Sequence, residues 1–285
     1  MMDTMSDNRR DVHQREAARA PGPGGRARRV RRVLLATGGV LLLLAAILPA
    51  GVLVVTFGGL VPAEDGTELP GGARLVRDGF VNLYVLPAGP GAVALIDCGA
   101  DLEGAAIKAE LARRGLGPDA VKAIFITHGH GDHIGACRLF PQARVYAFSE
   151  EVGLVGGVEA AKGPVPRLRG ALRERATRVS HTLADGETVH VGPLSVQSFH
   201  IPGHTGGSAA YLASGVLYLG DSAAIEREGR LRKAAWIFSD DQEESFGAVR
   251  GLARRLEPRR QELRALACGH SGPWTDASPL LELGH

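Results

Sequence analysis

The hydrophobic pattern divides the chain in two. Val33 to Val61, "VLLATGGVLLLLAAILPAGVLVVTFGGLV", runs 29 residues without a charge. A helix of about 20 apolar residues spans the hydrocarbon core of a bilayer, and a run with no polar face suits lipid better than a water-exposed surface. From about Gly72 onward the pattern changes to short apolar runs bounded by glycine and proline, alternating with helical periodicity. "FVNLYVL" and "AVALIDCG" flank "PAGPG" and predict a hairpin. "DLEGAAIKAELARRG" predicts a helix capped at Asp101 and stopped at Gly115. "VKAIFIT" and "ARVYAF" predict strands, "HIGACRLF" a short helix, and "SEEVGLVGG" a helix capped by Ser149. Further on, "ETVHVGPLSVQSFHIPGH", "AAYLASGVLYLGD" and "ELRALACGH" predict strands, and "SDDQEESFGAVRGLARRL" a helix capped by Ser239. Interleaving of this kind implies an α/β or α+β domain with two sheets and no fixed repeat.

Charge refines the first half of this picture. Residues 1–32 hold nine arginines against four acids, net +5, leaving 24 basic and 27 acidic side chains, net −3, in the rest. Arg26, Arg28, Arg29, Arg31 and Arg32 precede the apolar run while Glu64 and Asp65 follow it. The positive-inside rule then puts the N-terminus in the cytoplasm and the remainder outside. The expected organisation is a disordered basic tail at 1–32, a transmembrane signal anchor at 33–61, a linker at 62–73 and a catalytic domain at 74–285. Were the apolar segment cleaved near Val61-Pro62-Ala63, the product would be secreted or periplasmic. A mildly acidic body with few aromatics suggests no nucleic-acid partner. Arg167, Arg169, Arg173, Arg175 and Arg178 recur at helix-like intervals and read as a solvated face. Cys98, Cys137 and Cys268 are odd in number and read as buried free thiols, with one at least free or paired to another chain.

The chemistry concentrates in "THGHGDHIGA". His128, His130, Asp132 and His133 fall within six positions directly after an apolar strand, and imidazole with carboxylate suits zinc and similar divalent metals. Residues two apart on an extended segment share a side, so His128 and His130 can reach one ion while Asp132 and His133 reach a second. Three later strands also end on ligand-type residues: "PGHTGGS" at His204, "YLGDS" at Asp221 and "CGH" at His270. His181, His190 and His200 lack that glycine context and read as packing or surface residues.

Together with "VNLYVL" and "LIDCGAD" upstream, these pieces resemble the metallo-β-lactamase-fold superfamily over about residues 74–272. The resemblance implies a four-layer αβ/βα sandwich. It implies that His128, His130 and His204 hold one metal, that Asp132, His133 and His270 hold another, and that Asp221 bridges them, with Asp97 hydrogen-bonding a ligand from behind. The implied cofactor is two Zn2+, with iron or manganese as substitutes. The implied activity is hydrolysis of an ester, thioester, lactone or phosphoester by a metal-bridging hydroxide whose water Asp132 orients. Asp221 stands where β-lactamases carry cysteine or serine, which disfavours β-lactams. Only 15 residues follow His270, too few for the substrate-binding helical domain of the glyoxalase II type, which disfavours glutathione thioesters. A mononuclear-iron persulfide dioxygenase and a non-catalytic membrane-tethered binding protein remain as alternatives. Trp236, Phe238 and Trp274 are candidate pocket residues for a small-molecule or lipid substrate.

Overall fold

A computed structural model describes residues 23–284, excluding the side chains of 23–27 and of several positions between 40 and 53. Two compact units emerge, divided between Thr56 and Phe57. The first contains nearly all of helix α1 (Pro23–Phe57), which takes in Arg26 to Arg32, assigned by the sequence pattern to the tail. The rest of the expected tail, residues 1–22, lies outside the described residues. Among the described residues no helix is long and apolar enough to cross a membrane. The expected transmembrane span is therefore not a finding of the structure.

The second unit carries two main sheets. One runs in strictly sequential order: β1 (Glu68–Leu69), β2 (Ala73–Asp78), β3 (Val81–Pro87), β4 (Val93–Ile96), β5 (Val121–Phe125), β6 (Arg144–Phe148) and β7 (His181–Leu183). The expected hairpin is β3–β4, antiparallel, with Tyr84 opposite Ile96. From β4 through β7 the pairing is parallel. The second sheet contains β8 (Thr188–Val191), β9 (Leu194–His200), β10 (Ala209–Ala213), β11 (Val216–Tyr218) and β14 (Ala265–Ala267), in the order β14-β11-β10-β9-β8. Between β11 and β14 the chain forms the small ribbon β12 (Ala223–Ile225) and β13 (Leu231–Lys233).

Burial explains the layering. Strand β3 is buried from Val81 to Leu86, and β5 is buried at every position but Lys122, because each is covered on both sides. Leu75, Tyr84, Ile96, Phe125, Tyr211 and Tyr218 fill the space between the sheets. On the outer face of the first sheet, Leu83, Leu95 and Ile124 pack with Ile107 and Leu111 of α2 (Ala105–Arg113) and Ile134 of α3 (Gly131–Ile134). On the outer face of the second, Leu217 and Leu266 pack with Val249, Leu252 and Leu256 of α5 (Gln242–Leu256) and with Leu280 of α6 (Ser278–Leu281). Fully burying each such side chain contributes about 1.5–3 kcal/mol. The result is the expected α+β sandwich of four layers.

Local differences from the sequence pattern have physical reasons. Asp241, not Ser239, caps α5, accepting from the backbone N–H groups of Glu243 and Glu244; Ser239 is engaged elsewhere. The "SEEVGLVGG" segment is a 3-10 turn (Ser149–Glu151) leading into the single turn α4 (Val152–Val155), and Ser149 does not cap it. Arg175 does not belong to a solvated face: its guanidinium donates to the carbonyls of Ala100 (2.5 Å) and Gly131 (2.7 Å). The cysteine expectation is also corrected. Cys98 and Cys137 form a disulfide and only Cys268 is free, buried between sheet and helix. Cys98 follows β4 and Cys137 follows α3, two segments whose backbones already pair through Cys98 N–H to His133 O (2.7 Å). Sequence spacing carries no trace of that proximity.

Candidate metal centre

Six strand ends converge on one edge of the sandwich. Asp97 follows β4, the segment 127–133 follows β5, Glu151 follows β6, His204 follows β9, Asp221 follows β11 and His270 follows β14. Strand termini of a rigid sheet can hold side chains to the tolerance that metal chemistry needs. All seven residues singled out by the sequence pattern meet there. The Nε2 of His204 lies 3.2 Å from Nε2 of His128 and 3.1 Å from Nδ1 of His130. Next to this triad, Nε2 of His270 is 2.9 Å from Asp221 and 3.3 Å from Asp132. Nε2 of His133 is 3.4 Å from the other oxygen of Asp221. Three overlapping groups could each hold an ion: His128, His130 and His204; His128, His133 and Asp221; and Asp132, His133 and His270.

The other ring nitrogens are tied down, which aims the convergent ones. Thr127 donates its hydroxyl to Asp97 (2.6 Å) and so accepts from Nδ1 of His128 (3.1 Å). Asp97, at φ 60°, also accepts from Nδ1 of His133 (2.8 Å). Ser239 donates to Ala235 O and accepts from Nδ1 of His204 (3.0 Å). Phe80 O accepts from Nδ1 of His270 (2.9 Å), and the exposed Phe80 ring stacks on that imidazole at 5.7 Å. Each imidazole so fixed points its Nε2 inward, as metal-ligating histidines do. The exception is His130, which turns Nδ1 toward the triad.

The donor set fits divalent metal on an observation independent of any family. Nε2 of His130, Nε2 of His133 and Oδ1 of Asp221 are buried without a well-formed hydrogen bond, the last two facing each other at 3.4 Å, and native interiors seldom leave such atoms unmatched. Burial lowers the pKa of His130 to about 4 and of His204 to about 3, keeping both neutral, and pushes His128 the same way. Neutral imidazole is the ligating form. Burial also works against the charge on Asp132 and Asp221, but His133 and His270 outweigh it and hold both carboxyls below the usual range. In return Asp221, with Asp97 and Asp132, raises His133 against burial, and Asp221 with Asp132 lifts His270 to about 10, so these two imidazoles carry protons that a divalent ion would displace.

A family model described as the metallo-beta-lactamase superfamily matches residues 76–283. The chain belongs to that superfamily. Among curated relatives it is 32% identical over 113 residues to hydroxyacylglutathione hydrolase of Aeromonas hydrophila, covering 38% of this chain and 36% of that protein. It is also 32% identical over 127 residues to the same enzyme of Gloeothece citriformis, covering 41% of each. The chain thus spans less than half the length of the curated relatives it matches. Of solved structures, a metallo-beta-lactamase family protein from Thermus thermophilus superposes with a TM-score of 0.54 at 28% identity, covering 75% of this chain and 78% of that one. A B3 metallo-beta-lactamase with an active-site glutamic acid gives 0.59 at 18% identity over 79% and 88%, a likeness of fold.

The sandwich is thus that of the superfamily, and the site draws on residues beyond the seven candidate ligands. Asn82, buried on β3, donates its amide to the carbonyls of Cys268 and Ser271, and Tyr84 donates its hydroxyl to Cys268 O; together they hold the turn bearing His270. The run "VNLYVL" already marks their strand as part of the pattern. Thr127 and Ser239 carry no such signal, being generic hydroxyl residues. Of the pocket candidates, Trp236 is 62% exposed and stands three residues before Ser239. Phe238 is half-buried beside Ser239. Trp274 instead packs against the core under α5 and bridges to Leu266.

Proposed function

We propose that this chain is a metal-dependent hydrolase that uses its two three-ligand clusters together on an ester, thioester, lactone or phosphoester. The observation that carries the reading is Asp221, whose two oxygens face His270 and His133 from between the clusters. Divalent ions held there would lower the pKa of water toward neutrality and polarise an acyl or phosphoryl oxygen. His128, His130 and His204 would hold one ion, Asp132, His133 and His270 the other, with Asp221 shared. Zinc suits the nitrogen-rich set, and iron or manganese are the substitutes. Asp132 is the more accessible of the two acids, its side chain 24% exposed against 12% for Asp221. It is placed to accept a hydrogen bond from the attacking water and to move its proton toward the leaving group. Phe80, stacked on His270, and Trp236, three residues before Ser239, offer exposed apolar surface for a substrate's non-reacting part.

The test is metal content per chain, measured on full-length protein purified without a metal-affinity tag, followed by a panel of acyl thioester, lactone, phosphodiester and β-lactam substrates. About two zinc ions are expected, with turnover of at least one substrate that chelation abolishes and added zinc restores. One iron per chain with oxygen uptake on a persulfide would replace the hydrolase with a dioxygenase.

The same reading places the catalytic unit outside a membrane, held by the apolar run at 33–61. Support comes from the uncharged run and the arginines on one side of it, from exposed Leu34, Leu35, Leu43 and Val54 on α1, and from a disulfide, which persists in oxidising compartments. In the cell the full chain is expected to sediment with membranes and to resist alkaline carbonate extraction. Recovery in the soluble fraction at its full length would refute the anchor.

A further inference from the structure

Glu151 is 1% exposed and sits at the end of the turn that follows β6. It belongs to neither metal cluster and the proposed chemistry does not use it. Its Oε1 accepts the backbone N–H of Gly129 (2.6 Å), between His128 and His130. Its Oε2 accepts the hydroxyl of Thr205 (2.9 Å) and the backbone N–H of Gly207 (2.8 Å), just beyond His204. One buried carboxylate thus joins the two loops that carry the three-histidine triad. The fit is close on both sides. A Cβ on Gly129 would lie 2.8 Å from Leu154 and 3.1 Å from Glu151 Oε1, and one on Gly207 would lie 2.6 Å from the Glu151 backbone nitrogen. The glycines of "HGH" and "HTGG" let both loops press against this residue.

We propose that Glu151 is a positioning residue that sets the separation of the two triad loops and thereby tunes the affinity of the three-histidine cluster alone. The inference rests on the metal reading above. The other cluster is held by different groups: Asp97 orients His133, and Asn82 and Tyr84 hold the His270 turn. The hydrogen bonds of Glu151 go to the two triad loops instead. A carboxylate suits the place because both its oxygens must accept. An amide would turn an NH2 toward one loop's donors and break that side of the clamp, leaving a buried donor unmatched.

Stepwise zinc affinities, measured on the full chain by competition with a chromophoric chelator, test this in wild type and Glu151→Gln. One step is expected to weaken by about 10–100-fold, the range for lost support around metal ligands, while the other stays within about two-fold. The melting temperature of the metal-free protein is recorded alongside. Two unchanged steps in a folded variant would overturn the proposal. So would equal weakening of both steps together with a lower metal-free melting temperature, which is what a merely structural role gives. Should Glu151→Gln fail to fold, Thr205→Val removes a single bond of the clamp. The same step should then weaken several-fold, and unchanged affinities would count against the proposal. A wild-type chain that binds no second ion would instead refute the two-metal reading itself.

Discussion

Asp132→Ala is expected to lower turnover by about 10²–10⁴-fold, the contribution of a positioned proton-transfer group, with melting of the metal-free protein shifted by no more than a few degrees. The side chain stands at the mouth of the site, where it faces His270 and His133. It carries none of the core, so the fold loses little with it. The residue nevertheless supplies the carboxylate of the second cluster and the acceptor nearest to solvent. His130→Ala should match it in activity through the other cluster. Steady-state kinetics with a substrate from the panel, beside circular dichroism, checks both. A well-folded Asp132→Ala protein with full activity would remove the proposed role.

The second large effect concerns stability. Opening Cys98–Cys137, by reductant or as Cys137→Ser, is expected to destabilise the domain by about 4 kcal/mol, the chain-entropy value for a separation of this length; the separation is 39 residues. For a domain of this size that corresponds to roughly 8–16 °C in melting temperature. The bond closes a loop containing β5 and the whole 127–133 segment, and Cys98 is the neighbour of Asp97. Loss of metal should therefore accompany the loss of stability. Thermal melts with and without reductant, at fixed zinc, provide the measurement. Coincident melts would show that the sandwich holds this loop without the bond.

How far the site could be read in advance follows from what each residue must be. Metal ligands come from a short menu of side chains, and crowding four of them between glycines is hard to reconcile with an ordinary polar loop. His128, His130, Asp132 and His133 were legible for that reason, and His204, Asp221 and His270 because each ends an apolar strand. The strands themselves were legible through their short, mostly apolar runs, as in β3 and β5. Supporting residues have no such menu. Ser239 looks like a helix cap in "SDD", and Asp241 two positions on takes that role while Ser239 turns to His204. Glu151 looks like one of two acids in a helix start, and only the tertiary meeting of two distant loops makes it different. Arg175 falls in a run of arginines and is the one found bonded to the metal loop's backbone. The disulfide depended on a spatial meeting of β4 and α3 that three cysteines in a row of 285 residues cannot encode.

The parallel pairing of β11 with β14 has a kinetic consequence. Val216 to Tyr218 align with Ala265 to Ala267, and in that register His270 reaches Asp221 and Asp132. His270 meets Asp132 across 138 positions, against 76 between His204 and His128, and closing the longer loop costs more chain entropy. The His128–His130 pair could meet an ion early in folding, whereas the cluster containing His270 cannot exist before the last strand docks. On the proposed two-ion reading, loading should therefore be ordered in time, and a chain arrested before that docking would hold one ion.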